Sequence, residues 1–269
     1  DLVVLAGAHP IVLETKEADG FKFNPKHLEK IINKRTKAVI INSPSNPTGM
    51  AYSREELEVL AEVIVKRRIL VITDDIYEKI VYDGFSFTNI ASISDEIKKS
   101  TIVVNGVSKA YAMTGWRIGY AAGPEDIIAA VTKIQSQNTS NPTSIAQKAA
   151  VEALNGDQSI VTEMVSAFEK RRNTIVAALN DIDGITCMKP QGAFYVFPNI
   201  SGLFGRSYKG KKLSGSSGLA DYLLDEAGVA VVPGADFGQD NYMRLSYATS
   251  MKNIEEGVKR IKAAVGKLE

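Results

Sequence analysis

Three short and almost uninterrupted apolar runs stand out in the first half of the chain: Ala38–Ile41, Ile69–Thr73 and Thr101–Val104. Such runs are typical of parallel strands that are covered on both faces. Between the first two runs, Ser53 and Glu56 form a capping box before an amphipathic segment, which predicts a helix. Strand–helix–strand units of this length favour an α/β fold with right-handed crossovers and a mainly parallel sheet.

The pattern changes after Gly123-Pro124, first to helices and then to shorter strands. Ile160–Leu179 predicts a long helix, and Gly202–Gly218, rich in Gly, Ser and Lys, predicts an exposed loop. The other predicted elements are helices at Glu125–Gln135, Leu219–Glu226 and Asn253–Val265 and strands at Ala193–Phe197, Val229–Val232 and Tyr242–Ser246. We therefore expect a large domain at residues 1–170, ending in the long interdomain helix, and a small C-terminal α+β domain at residues 171–269.

Composition excludes several classes of protein. The chain has 269 residues, of which 45% are hydrophobic and 23% are charged, and its formal net charge is +1. With no long run of one sign, nothing favours a nucleic-acid or anionic-membrane partner. A single cysteine, Cys187, and two histidines predict neither a disulfide framework nor a metal centre. No apolar stretch reaches the roughly 18 residues of a membrane span, so we expect a reducing, cytoplasmic location.

Candidate chemistry follows the ends of the three predicted strands. Asn46 comes after the first strand, Asp74 directly after the second and Lys109 after the third. In open α/β sheets, ligands gather beyond the carboxyl ends of the strands. The order of these residues therefore predicts a single binding site at this edge of the sheet.

The residue types at this edge suit one cofactor. Taken alone, Lys109 reads as an ordinary surface lysine, but a lysine amine can form a Schiff base with an aldehyde. Arg117, eight residues later, can grip a phosphate with its guanidinium fork. An acid such as Asp74 can keep a heteroaromatic ring nitrogen protonated. Aldehyde, phosphate and basic ring nitrogen together describe pyridoxal 5′-phosphate.

Longer motifs around these residues carry a resemblance to a known family. The chain resembles the class I/II aminotransferases of fold type I, and within them the bacterial aspartate aminotransferase-like branch. The resemblance runs from about Leu2 to the C-terminus. The motifs that carry it are Asn42-Ser43-Pro44-Ser45-Asn46-Pro47-Thr48-Gly49, Asp74-x-x-Tyr77, Ser108-Lys109, Trp116-Arg117 and Tyr242-Met243-Arg244-Leu245-Ser246.

The resemblance implies roles for the cofactor-binding residues. Lys109 would form the Schiff base and move the substrate proton as general acid–base. The family places its acid three residues before the tyrosine, so Asp74 rather than Asp75 would pair with the pyridinium nitrogen. Tyr77 and Asn46 would share the phenolate oxygen of the cofactor.

The remaining roles concern the two negatively charged groups at the site. Ser108 and Arg117 would bind the cofactor phosphate, and we expect Arg117 to be buried among Trp116 and Tyr120. Arg244 would grip the α-carboxylate of the substrate with a two-pronged contact, beside Asn46. No metal ligand is predicted.

The implied function is transfer of an amino group between an amino acid and a 2-oxo acid, with aspartate and 2-oxoglutarate favoured. Alternatives are an aromatic, prephenate or other amino-acid aminotransferase, or a lyase of the same fold. A module without chemistry is disfavoured because each expected catalytic residue in this span is present. The family also implies a homodimer with shared active sites, a cis bond before Pro47, and an N-terminal part, before Asp1, that this sequence lacks.

Overall fold

A computed structural model describes residues 1–269. The chain contains nine α-helices and nine strands. The helices are α1 Leu2–Leu5, α2 Pro25–Ile31, α3 Arg54–Arg67, α4 Asp95–Lys98, α5 Glu125–Asn138, α6 Ser144–Asn155, α7 Ser159–Asn180, α8 Gly215–Ala227 and α9 Met251–Val265. The strands are β1 Ala38–Asn42, β2 Leu70–Asp74, β3 Thr101–Gly106, β4 Gly119–Ala122, β5 Tyr195–Val196, β6 Ser207–Tyr208, β7 Lys211–Lys212, β8 Val232–Pro233 and β9 Met243–Ser246. None of the helices combines the length and the apolar character that crossing a membrane requires.

The first sheet has the strand order β1-β2-β3-β4. Its first three strands are parallel, as predicted, and β4 pairs with β3 in the antiparallel direction. Asn42 lies opposite Asp74, and Asp74 lies opposite Val104. The carboxyl ends of the three parallel strands therefore meet at one edge, which confirms the placement expected from the sequence.

Helix α3 covers one face of this sheet. Ser53 accepts a hydrogen bond from the Glu56 backbone amide while the Glu56 side chain binds the Ser53 amide, so the predicted capping box is present. The apolar stripe of α3 packs against inward-facing residues of β1 and β2 such as Ile41 and Val71. On the opposite face, Ile40 is 52% exposed.

The second half builds a three-stranded antiparallel sheet, β5-β9-β8, packed against α7, α8 and α9. The long helix, predicted at Ile160–Leu179, is present as α7, whereas the predicted strands are shortened to two to four residues. The loop expected at Gly202–Gly218 is partly wrong, because it contains the β6–β7 hairpin and the start of α8. The domain boundary proposed after residue 170 falls inside α7 and stays a prediction.

Candidate active site

Asn42, the last residue of β1, joins two of the predicted site residues. Its side-chain amide donates to the Asp74 backbone carbonyl at 3.0 Å, and its side-chain oxygen accepts from the Asn46 amide at 2.8 Å. One side chain therefore fixes the turn that carries Asn46 relative to the end of β2.

The turn after β1 is also held from the other side by residues 190–195, here called the 190–195 segment. The Gly49 carbonyl accepts from the Gln191 and Gly192 amides at 2.9 and 2.8 Å. A Cβ at Gly49 would lie 2.6 Å from Pro190 Cβ, and φ is +68° at this position, so only glycine fits. Within the turn the Ser43–Pro44 and Asn46–Pro47 bonds are both cis, and the second confirms the expectation.

Arg244, on β9, reaches the same turn. Its Nη1 donates to the Asn46 side-chain oxygen at 3.0 Å. Its guanidinium contacts two aromatic rings, 4.8 Å from the Tyr195 centroid and 5.2 Å from the Phe237 centroid. The Nε atom is buried and has no hydrogen-bond partner. This arrangement leaves a fixed cation with an unused donor, which suits an anionic ligand.

Tyr77 and the 190–195 segment form the wall beside this cation. The Tyr77 and Tyr195 hydroxyls lie 3.1 Å apart, and the Tyr77 and Phe194 rings meet edge to face at 5.4 Å. Burial raises the pKa of Tyr77 well above its usual value, so its hydroxyl stays protonated and can donate. Lys109 Nζ lies 5.9 Å from the centroid of the Phe194 ring. The half-buried Lys109 amine therefore lies on the same side of the sheet edge as Tyr77.

The two neighbouring aspartates at the end of β2 lie in different environments. Asp75 is buried, accepts from the Thr73 hydroxyl at 2.6 Å and also accepts from the Asn89 amide. Burial raises the pKa of Asp75 to about 6, although these two hydrogen bonds oppose the rise. Asp74 is half-buried, and its carboxylate accepts only from the Ile76 amide, at 3.2 Å. Asp74 is therefore the carboxylate left available to a ligand.

The surroundings of Arg117 differ from the expectation. Arg117 is exposed and donates to the Thr114 carbonyl at 2.8 Å. Trp116 is 46% exposed and Tyr120 is 43% exposed. The expected burial is wrong because β4 pairs with β3 along one edge only and no helix of this chain covers its faces. Ser108 is half-buried in the turn after β3, and neither residue shares a side-chain hydrogen bond with Asn46, Asp74, Tyr77, Lys109 or Arg244.

A sequence profile described as aminotransferase class I and II matches residues 1–261. The chain belongs to this family. It is 49% identical to the aspartate aminotransferase of Bacillus subtilis over 98% of this chain and 66% of that protein. It is 50% identical to the aspartate/prephenate aminotransferase of Nitrosomonas europaea over 97% of this chain and 66% of that protein. The chain thus spans just under two thirds of the length of these relatives.

Solved structures agree with the family assignment. The crystal structure of the aspartate aminotransferase from Rhizobium meliloti superimposes with a TM-score of 0.97 at 44% identity, covering 100% of this chain and 68% of that one. The fold is therefore that of the fold type I aminotransferases, with a parallel sheet in the first half. The resemblance to the bacterial aspartate aminotransferase branch is confirmed.

Several residues that build the candidate site were missed from the sequence. Asn42 had a local signal, because it is a polar residue that ends an apolar strand. Phe194 and Tyr195 were predicted only as part of the strand Ala193–Phe197. Phe237, which covers Arg244, carried no signal, since it lies in a loop-like stretch whose partner is fixed only by the tertiary fold.

The donor set fits pyridoxal phosphate. A half-buried amine at Lys109, a free carboxylate at Asp74 and a protonated hydroxyl at Tyr77 are the groups that the aldehyde, the ring nitrogen and the phenolic oxygen require. The Asn46 oxygen is already occupied by Arg244, which leaves the Asn46 amide group as a donor. The phosphate ligands are less complete, because Arg117 is exposed.

Proposed function

We propose that this protein is a pyridoxal-phosphate-dependent aminotransferase that moves an amino group from an amino acid, aspartate, to a 2-oxo acid, 2-oxoglutarate. The observation that carries the proposal is the environment of the Arg244 side chain. Its guanidinium is held by Asn46 and two aromatic rings, with a buried Nε that has no partner, on the side of the site where Tyr77 and Lys109 lie.

In this proposal Lys109 attaches the cofactor through its amine, Asp74 pairs with the ring nitrogen, and Tyr77 and Asn46 donate to the phenolic oxygen. Ser108 and Arg117 bind the phosphate. When bound, pyridoxal phosphate supplies an electron sink for the bonds at the substrate α-carbon.

The chain's own residues would do the positioning and the proton transfer. Every amino-acid substrate carries an α-carboxylate, and the planar fork of Arg244 fixes both its position and its orientation. The substrate α-hydrogen is then presented to Lys109, whose amine takes the proton as general base and returns it as general acid.

Aspartate is favoured because the relatives in Bacillus subtilis and Rhizobium meliloti carry the name aspartate aminotransferase. The Nitrosomonas europaea relative is named for prephenate as well as aspartate. Prephenate is therefore the second candidate amino-group acceptor, and a panel of amino donors and oxo acids separates the two. The same panel distinguishes both readings from an aromatic or other amino-acid aminotransferase and from a lyase of the same fold.

We further propose a homodimer with shared active sites in the cytoplasm. Several exposed apolar side chains support burial against another subunit. They include Trp116 just before β4, Tyr120 on β4 and Ile134 on α5, which is 64% exposed. Sedimentation of the intact protein at micromolar concentration tests this part separately from the chemistry.

Lys109 provides the direct test of the proposed function. Lys109→Ala should remove the visible absorption of the protein-bound cofactor and slow the half-reaction by at least ~10²–10⁴-fold, the loss typical of a missing general acid–base. Borohydride reduction followed by peptide mapping should place the label on Lys109. Lys79 and Lys133 serve as internal controls, and label on either would contradict the assignment.

A further inference from the structure

Tyr195 contacts both Tyr77, a proposed cofactor ligand, and Arg244, the proposed substrate ligand. It was not itself predicted to bind either the cofactor or the substrate. It is 8% exposed and lies on β5 at the end of the 190–195 segment. Its hydroxyl is 3.1 Å from the Tyr77 hydroxyl, and its ring lies 4.8 Å from the Arg244 guanidinium.

The number of protons available decides which of the two hydroxyls should donate to the other. Each hydroxyl has one proton to donate, and neither Tyr77 nor Tyr195 has another side-chain hydrogen bond. If Tyr77 donated to Tyr195, its only proton would be used inside the pair. If Tyr195 donates, Tyr77 keeps its proton for a ligand and becomes a stronger donor, because hydrogen bonds in a chain polarise one another.

The position of Tyr195 is fixed independently of any ligand. In the same segment the Ala193 amide donates to the Ile80 carbonyl at 2.9 Å, and the Ala193 carbonyl accepts from the Tyr82 and Tyr247 hydroxyls. The buried Arg172 donates to the Pro190 carbonyl at 3.0 Å and to both oxygens of Asp83. Both ends of the segment are therefore tied to the rest of the fold before anything binds.

We propose that Tyr195 is a positioning residue with two separable parts. Its hydroxyl donates to Tyr77 and directs the Tyr77 proton to the cofactor oxygen, and its ring supports Arg244 in the orientation that receives a carboxylate. The proposal rests on the proposed function, because both partners act there on cofactor or substrate.

Two substitutions separate these parts in the intact protein loaded with pyridoxal phosphate. Tyr195→Phe removes only the hydroxyl. Weaker donation by Tyr77 leaves more negative charge on the cofactor oxygen, which holds a nearby proton more tightly. The pH at which the visible band titrates should therefore rise by about half a unit. The affinity for maleate, an unreactive dicarboxylate, should stay within about twofold.

Tyr195→Leu removes the ring as well. It should weaken maleate binding by about 3- to 30-fold, the range expected for a lost cation–π contact. Tyr208→Phe is the matched control: its hydroxyl donates to Glu226 at 2.7 Å, away from the site, and both readouts should match the unaltered protein.

The outcomes distinguish this inference from the proposed function. An unchanged titration in Tyr195→Phe, alongside a shift in Tyr77→Phe, would overturn the role of the hydroxyl. Equal maleate affinity in Tyr195→Leu and the unaltered protein would overturn the role of the ring. If the unaltered protein showed no visible absorption band after loading, the proposed function itself would be overturned, and the inference with it.

Discussion

Arg244 and Arg117 present the same side chain in two very different environments. The Arg244 fork is clamped by Asn46 and two rings, and its buried Nε has no acceptor. A buried donor without a partner costs about 1–3 kcal/mol, which an anionic ligand would recover. Arg117 is exposed and pays no such cost. The two residues should therefore differ in what is lost when each is removed.

Arg244→Ala in the intact enzyme should keep the bound cofactor and its absorbance but lose kcat/KM for every amino acid tested. Loss of one partner of a buried charge pair typically costs about 2–5 kcal/mol, which corresponds to roughly 30- to several-thousand-fold. Steady-state kinetics with several amino donors measure the loss, and the absorbance of the dialysed protein measures cofactor retention.

Arg117→Ala is the paired variant and should do the reverse, weakening cofactor retention first. The assignments would have to be exchanged if Arg244→Ala released the cofactor while substrate affinity was unchanged.

Spacing along the chain was enough to predict the position of candidate residues that belong to local motifs. Asp74 ends β2, and Asn46 and Lys109 follow β1 and β3 within a few residues, so the strand pattern alone places all three at one edge. The partnership between Tyr77 and Tyr195 spans 118 residues and depends on how the 190–195 segment folds back. A sequence pattern within one segment cannot predict a contact between residues so far apart.

The two acids at the end of β2 differ: Asp75 has a structural role, and Asp74 is the proposed cofactor ligand. Asp75 binds Thr73 within the strand and Asn89, whose side-chain oxygen accepts from the Ala91 amide in the next helical turn. Asp75 therefore ties β2 to the segment that follows. It does so as a buried acid, which makes its contribution to stability depend on pH.

Asp75→Asn should reduce the loss of stability between pH 4 and pH 6. The folded-state pKa of Asp75 is raised by burial to about 6, from an ordinary value of 3.8. A raised pKa means that the favourable contribution is complete below about pH 4 and is lost as pH rises to about 6. The difference between the two proteins should reach about 1–3 kcal/mol in urea unfolding, since one pKa unit equals about 1.4 kcal/mol.

The exposed Asp221→Asn serves as the control, with a stability–pH curve parallel to that of the unaltered protein. A parallel curve for Asp75→Asn as well would contradict a raised pKa at this position.

Elements with strong local signals were predicted closely, and elements that depend on distant partners were not. The capping box and apolar stripe specify α3, and the apolar runs specify β1 to β3. In the second half, β5 keeps only two of the five residues predicted at Ala193–Phe197, because the segment before it bonds to Gly49 and Ile80 instead of a strand.

In the whole chain, one face of the first sheet is only partly covered. Ile40 and Val104 on the sheet, and Trp116 beside β4, expose large apolar side chains together. The burial expected for Arg117 was wrong for the same reason, since apolar neighbours in sequence do not reveal which face of a sheet is covered. Large apolar side chains exposed in this part of the chain agree with burial against the second subunit of the proposed dimer.

Trp116 is the only tryptophan of the chain, and it is half exposed next to the arginine proposed to bind phosphate. Its fluorescence therefore reports how close a bound group lies to Arg117. Because pyridoxal phosphate absorbs where indole emits, loading the cofactor should quench the emission by energy transfer, whereas inorganic phosphate should leave it unchanged. Emission that stays bright in the loaded protein would place the cofactor far from Trp116 and rule out the phosphate role of Arg117.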